Sequence, residues 1–129
     1  MVQTQSPNQV NVDLDAQWKQ FLRKQVNSFI KWDLVRFFND NPHTVDTAEN
    51  IANVVGRDGK VVTRELDGLV KSGMLHKEAK ASSSIYRLTD NSDTRQLLSD
   101  FVVACHNRDF RVKAINHVIN GMGFKSQKH

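Results

Sequence analysis

Residues 47–73 carry Arg57, Lys60, Arg64 and Lys71 together with Glu49, Asp58, Glu65 and Asp67. Ammonium and guanidinium groups bind phosphate, whereas carboxylates repel it, so this stretch is formally neutral toward a polyanion. The cationic excess lies elsewhere. Residues 74–88 hold Lys77, Lys80 and Arg87 against Glu78, and residues 108–129 hold Arg108, Arg111, Lys113, Lys125 and Lys128 against Asp109 alone. The net charge of +4 and the pI near 9.4 point to a polyanionic partner whose electrostatic footprint is mainly outside the central segment.

Other chemistries find little support. There is no phosphate-cradling glycine loop and no nucleophile elbow, and Cys105 and His106, adjacent on one helix, point in different directions. The chain is expected not to be an enzyme, and no cofactor is implied. One cysteine cannot form an internal disulfide, the first dozen residues lack a secretory pattern, and no apolar run approaches the ~20 residues that span a bilayer. A cytoplasmic protein outside the membrane is expected. Cys105 lies on an apolar row, which favours an inert buried thiol.

These side chains must be positioned by helices. The chain length, 129 residues, suits one domain. Met1 to Val12 is polar and without apolar period, as in a disordered arm. Leu14, Trp18, Phe21, Leu22 and Val26 predict a helix opening near Asp13 or Asp15. Asn27 or Ser28 caps a second, whose Phe29, Ile30, Leu34, Phe37 and Phe38 form its apolar stripe. Trp32 falls off that stripe and is expected to cover the first helix or a partner subunit.

Asp46 or Thr47 caps a third helix with Ala48, Ile51, Ala52 and Val55 inward, ended by Gly56. Asp58 restarts the chain into a fourth, with Val62, Leu66, Leu69 and Val70 inward and Gly73 past its end. Residues 74–80 and 85–88 predict a hairpin around Ala81 to Ser84. Beyond it Leu97, Leu98, Phe101, Val102 and Cys105 mark a fifth helix, and Val112, Ile115, Val118, Ile119 and Met122 continue the row. Cys105, Val112 and Ile119 are seven apart, a spacing that permits helix pairing. Arg108 interrupts the seam and Asp109 could cap a new helix, leaving one helix or two both open. Gly121 and Gly123 end the pattern before a basic tail.

Helix, helix, short turn, helix and two-stranded hairpin is the order of a winged helix-turn-helix, and the central residues resemble that superfamily. TAENIANVVG looks like its supporting helix, with small Ala52 where helices cross closely. DGKVVTRELDGLVKSGML looks like its recognition helix running into the first wing strand. Similar patterns occur in MarR-like and ArsR-like bacterial regulators, and the resemblance covers about residues 28–89. It implies a mainly α fold with a small β-hairpin, elaborated by additional N- and C-terminal helices. The corresponding division is an arm at 1–12, a single domain at 13–123 with flanking helices 13–26 and 92–122, and a tail at 124–129.

By the same resemblance the protein would be a sequence-specific, DNA-binding transcriptional regulator. Helix 59–72 would enter the major groove of double-stranded DNA and the basic wing 74–88 would lie on the backbone. Gly59, Lys60, Val61, Thr63, Arg64 and Asp67 would face DNA. Lys60 and Arg64 suit guanine edges or phosphates, Thr63 suits phosphate, and Val61 suits a thymine methyl. Arg57 in the turn, with Lys77, Lys80 and Ser83 in the wing, would hold the backbone. The acids Glu65 and Asp67 leave an alternative open, a winged-helix protein-interaction module that binds no DNA.

The flanking apolar helices exceed what the central unit needs, so a homodimer is expected. His106 and His117 have the separation at which some ArsR-like sensors hold metal, but Ala104 and Asn120 stand at the companion positions and no metal site is expected. A small-molecule effector between dimer helices finds no specific polar cluster in the sequence.

Overall fold

The computed structural model describes residues 14–127. The expected arm at 1–12, and His129 with Lys128, lie outside the described residues. Among the described residues six helices and three strands follow in the order α1 (Ala16–Gln25), α2 (Phe29–Asp40), β1 (Val45–Thr47), α3 (Ala48–Val55), α4 (Gly59–Lys71), β2 (Leu75–Ala79), β3 (Ser84–Leu88), α5 (Ser92–Ala104) and α6 (Arg108–Gln127). Among the described residues no helix is long and apolar enough to cross a membrane.

Side-chain caps set the helix starts. Asp15, Ser28, Thr47, Asp58 and Asn91 each accept a backbone N–H from the first turn of the helix that follows, which satisfies donors that have no partner within the helix. The short turn between α3 and α4 depends on Gly56, whose φ of 74° is a conformation that glycine adopts without a Cβ clash. Gly73, at φ 88°, ends α4. There Gly73 N–H donates to the Val70 carbonyl at 3.1 Å and Met74 N–H to that of Leu69 at 3.0 Å, the paired bonds of a Schellman stop.

The sheet is larger than the expected hairpin. β2 pairs with β3, Leu75 opposite Leu88 and Ala79 opposite Ser84. On the other side of β3, β1 places Val45 against Arg87 and Thr47 against Ile85, giving the antiparallel order β1-β3-β2. Residues 45–47 are too short to show a strand period, and the strand exists because β3 supplies its hydrogen-bonding edge.

The core runs continuously from the central unit into the flanking helices. Leu34, Phe38, Ile51, Val62, Leu66, Leu69, Met74 and Tyr86 are buried between α2, α3, α4 and the sheet. Phe101 of α5 is also fully buried, with ring centroids 5.0 Å from Phe21, 5.2 Å from Trp32, 5.9 Å from Trp18 and 6.2 Å from Phe110. Trp32 therefore packs on Phe101 of α5 and is buried within its own chain. Gln25 and Ser72 exchange two hydrogen bonds, Gln25 Nε2 to the Ser72 carbonyl at 3.1 Å and Ser72 Oγ to Gln25 Oε1 at 2.5 Å. They tie the end of α1 to the end of α4.

The apolar row after Ser92 is two helices. α5 stops at Ala104, and Asn107, not Asp109, caps α6 by accepting the Phe110 N–H at 2.9 Å. Arg111 Nη1 donates to the Cys105 carbonyl at 2.8 Å and fixes the bend. Cys105 and Val112 thus belong to different helices and the long seam does not form. α6 also continues through Gly121 and Gly123 to Gln127, because a glycine weakens a helix without forbidding it.

Candidate nucleic-acid interface

α4 is held by its inward row, Val62, Leu66 and Leu69, none of which is exposed. The 3.6-residue period then divides the rest of the helix into three strips. Lys60, Arg64 and Lys71 lie opposite the buried row and all three are exposed, Arg64 with 73% of its side chain accessible. Thr63 turns toward the sheet, Asp67 lies between that side and the outward strip, and Val61, Glu65 and Gly68 turn toward α2.

The two acids of α4 are both bonded to neighbouring elements, Glu65 more deeply than Asp67. Glu65 is only 17% exposed; it accepts the Ser28 hydroxyl at 3.0 Å and lies 3.9 Å from Lys31 Nζ and 3.9 Å from Arg64 Nε. Lys31 crosses α4 where Gly68 has no side chain; a Cβ there would sit 2.9 Å from the Lys31 Cε and Nζ. Asp67, seven residues after Lys60, stands at the edge of the outward strip with 40% of its side chain accessible. It accepts the Tyr86 hydroxyl at 2.7 Å and the Lys77 ammonium at 3.0 Å, and Lys77 Nζ lies 5.5 Å from the Tyr86 ring centroid, within cation–π range.

This group fixes the wing against α4 and shifts three titrations. Burial would raise the Asp67 carboxyl, but the hydrogen bonds from Tyr86 and Lys77 and the charges of Lys77 and Lys71 outweigh it and hold the acid below its ordinary range. The bond to Asp67, then that to Tyr86, pushes the Lys77 ammonium up. Burial, followed by the bond to Asp67, pushes the Tyr86 phenol up.

The remaining expected site residues are distributed unevenly. Arg57 is given over to α2, its Nη2 2.6 Å and its Nε 3.1 Å from Asp33 Oδ2. Thr63 Oγ1 donates to the Gly59 carbonyl at 2.8 Å, so a phosphate must displace that bond. Val61 is half-buried and its N–H serves the Asp58 cap. Lys80 and Ser83 close the exposed wing tip, with Lys80 N–H to the Ser83 carbonyl at 2.7 Å and Lys80 Nζ 3.6 Å from Glu78. A groove between the wing and the start of α3 is lined by Thr47, Glu49, Thr63, Lys77, Ser83 and Tyr86.

The sequence reading missed Lys71 and Tyr86. Lys71 follows Arg64 by two helical turns, so the period alone could have placed it on the same strip. Tyr86 needed the strand register that sets it opposite Lys77, and no local pattern gives that. Elsewhere, burial pushes the Cys105 thiol up to about 11, partly offset by Arg111 and Arg36. Among the described residues no three metal-binding side chains cluster, and His106 lies in the bend before α6 while His117 lies within it.

No protein-family model and no curated protein matches the chain. Among solved structures it is similar to the homodimeric winged helix-turn-helix DNA-binding domain of a possible ArsR-family transcriptional regulator from Mycobacterium bovis, determined by solution NMR. The TM-score is 0.50 at 14% identity, over 75% of this chain and 92% of that one. The likeness is one of fold: this chain is a winged helix-turn-helix, with α3 and α4 as the helix pair and β2 and β3 as the wing.

Proposed function

We propose that the protein is a DNA-binding transcriptional regulator that acts in the cytoplasm as a homodimer. α4 would lie in the major groove with Lys60 and Arg64 toward bases or phosphates, and the wing tip at Lys80 and Ser83 would follow the backbone. The observation that carries this reading is the outward strip of α4. Its three cations, Lys60, Arg64 and Lys71, are exposed, while Glu65 and Asp67 are held by Ser28, Tyr86 and Lys77. The outward strip offers three exposed cations to a phosphate backbone, with the half-exposed Asp67 carboxylate at its edge paired to Lys77. The solved neighbour, itself a homodimeric DNA-binding domain, supports the same reading.

Dimerisation through α6 has its own support. Val112, Ile115, Ile119 and Met122 follow at intervals of three and four along α6, apart from the inward residues Ala114 and Val118, and Val112, Ile119 and Met122 are each more than 40% exposed. Such a stripe matches a helix-pairing seam, and a two-fold pair would present two copies of α4 to successive turns of DNA.

Selecting duplexes from a random pool and titrating the winner with salt tests the proposal. A DNA contact loses affinity steeply as salt rises, with a log–log slope of roughly −0.9 per neutralised phosphate. Failure to select any duplex, or a flat salt response, would replace this reading with the protein-interaction one.

A further inference from the structure

Asp67 is the more exposed of the two acids of α4, at 40% of its side chain against 17% for Glu65. It follows Lys60 by seven residues and Arg64 by three, and precedes Lys71 by four. At 3.6 residues per turn it therefore stands beside the three cations, on the wing side of their strip. A bare carboxylate there would oppose a phosphate backbone. Two features of the clamp change that. Lys77 Nζ lies 3.0 Å from the carboxylate and offsets its charge. The Tyr86 hydroxyl and the Lys77 ammonium also both donate to the same oxygen, Oδ1, at 2.7 and 3.0 Å.

An ionised carboxylate only accepts, through about four lone-pair sites shared by its two oxygens. Two donors occupy Oδ1, and Oδ2 keeps its capacity for a donor from outside. Protonation does not remove that capacity near neutral pH, because the clamp holds the acid below its ordinary range. Tyr86 is buried in the core and stands opposite Lys77 in the strand register, so the sheet sets the direction of the hydroxyl and, through it, of the carboxylate. α4 thus presents an acceptor whose orientation is fixed before any ligand arrives, and such preorganisation lowers the cost of binding.

We propose that Asp67 is a specificity-determining residue whose Oδ2 accepts the N4 amino group of a cytosine in the major groove. This rests on the DNA-binding reading above, which puts α4 in that groove. Cytosine is the base that fits, since its major-groove edge offers a donor, while guanine and thymine offer only acceptors. Adenine sets its donor beside the N7 acceptor, which a carboxylate meets unfavourably. Arg64 and Asp67 are three residues apart, about 4.5 Å along the helix axis, comparable with the ~3.4 Å step between base pairs. A base read by Arg64 and the cytosine read by Asp67 therefore belong to neighbouring base pairs. An acid that adds nothing to general attraction for DNA adds discrimination among sequences.

Duplex selection from a random pool, run on the full chain and on Asp67→Asn, tests the inference. The amide keeps an oxygen for Tyr86 and Lys77 and puts a donor in place of the free acceptor. One position per half-site should then change from cytosine to a base that offers an acceptor, adenine above all. Replacing that cytosine by 2-pyrimidinone, which lacks only the amino group, should weaken binding to the unaltered protein by about 10- to 100-fold, as for a hydrogen bond to a charged group. Tyr86→Phe keeps the charge and frees the carboxylate to turn, so the preference should relax at the same position while the salt slope stays unchanged. A purely structural clamp would alter stability and leave every base preference in place. Unchanged preferences in both variants, no cytosine sensitive to 2-pyrimidinone, or a uniform rise in affinity for all duplexes in Asp67→Asn would each overturn the inference and leave the DNA-binding reading standing. If the unaltered chain selects no duplex, the DNA-binding reading itself fails and the inference falls with it.

Discussion

The outward strips of α4 and α6 are both left uncovered by the chain's own core, yet they differ in chemistry and in origin. On α4 the strip is cationic because other elements take up its acids: Ser28 and Lys31 of the α2 region attend Glu65, and the wing takes Asp67. On α6 the strip is apolar because the apolar residues exceed what one face can bury, so Ala114 and Val118 go inward while Val112, Ile119 and Met122 remain outside. A count of charges or apolar residues misjudges both regions. Composition fixes which groups are present, and packing decides which of them meet solvent. The two strips should also respond differently to salt, since screening weakens a phosphate contact and leaves apolar burial largely unchanged.

The largest expected effect comes from breaking the α6 strip. Val112→Glu with Ile119→Glu puts two carboxylates on the exposed seam without touching the buried row, so the fold should persist while the dimer dissociates. Sedimentation equilibrium would show monomers, and loss of bivalency should reduce affinity for a two-site duplex by about 10²- to 10⁴-fold. Dimers that survive this change would assign the interface elsewhere on the molecule.

Altering the α4 strip should leave the dimer intact and should change the salt dependence. Lys60→Ala with Arg64→Ala is expected to weaken the selected duplex by a few kcal/mol, since each good base contact contributes ~1–3 kcal/mol. Lys71→Ala, a phosphate-range cation, should weaken all duplexes about equally and lower the salt slope by about 1. Binding isotherms at several salt concentrations distinguish the two classes. An unchanged isotherm for the double variant would remove the outward strip of α4 from the interface.

How far these strips were legible follows from the range of the interactions that make them. The helices were readable because caps and apolar periods are local: Ser28, Thr47, Asp58, Gly56 and Gly73 all act within a few residues of where they stand. The fold class followed from the order of those elements. Strand β1 was not readable, since three residues carry no period and the strand is defined by its partner. The bend after Cys105 was left open because the apolar row runs on beyond it while Arg108 interrupts the seam and Asp109 offers a cap; the structure starts α6 instead on the Asn107 side chain, which accepts the Phe110 N–H. Within the site, Lys60 and Arg64 stand where the helical period puts them. The pairing of Glu65 and Asp67 depends on contacts spanning 37 and 19 residues, so it could not be deduced from spacing.

The smallest effect tests whether the α4 strip owes its charge to the wing. Tyr86→Phe keeps the ring in the core and removes only the hydroxyl that donates to Asp67, so stability should fall by about 0.5–1.5 kcal/mol, as for one hydrogen bond. The contribution of Asp67 has a defined pH window. Because its folded-state pKa lies below the ordinary carboxyl value of 3.8, the stabilisation is present above that value and is lost only as pH falls through the lower folded one. Lys77 and Tyr86 are shifted upward from 10.5 and 10.0, so their contributions are complete below those values and are lost as pH rises through the higher folded ones. The clamp should therefore be indifferent to pH across neutrality, and the stability difference between the parent and Tyr86→Phe should be flat from about pH 5 to 9. A difference that collapses within that window would mean that another titrating group holds the wing. In the variant Asp67 keeps only Lys77, which leaves its carboxylate freer to repel phosphate, and a modest loss of duplex affinity with a normal fold is the expected signature.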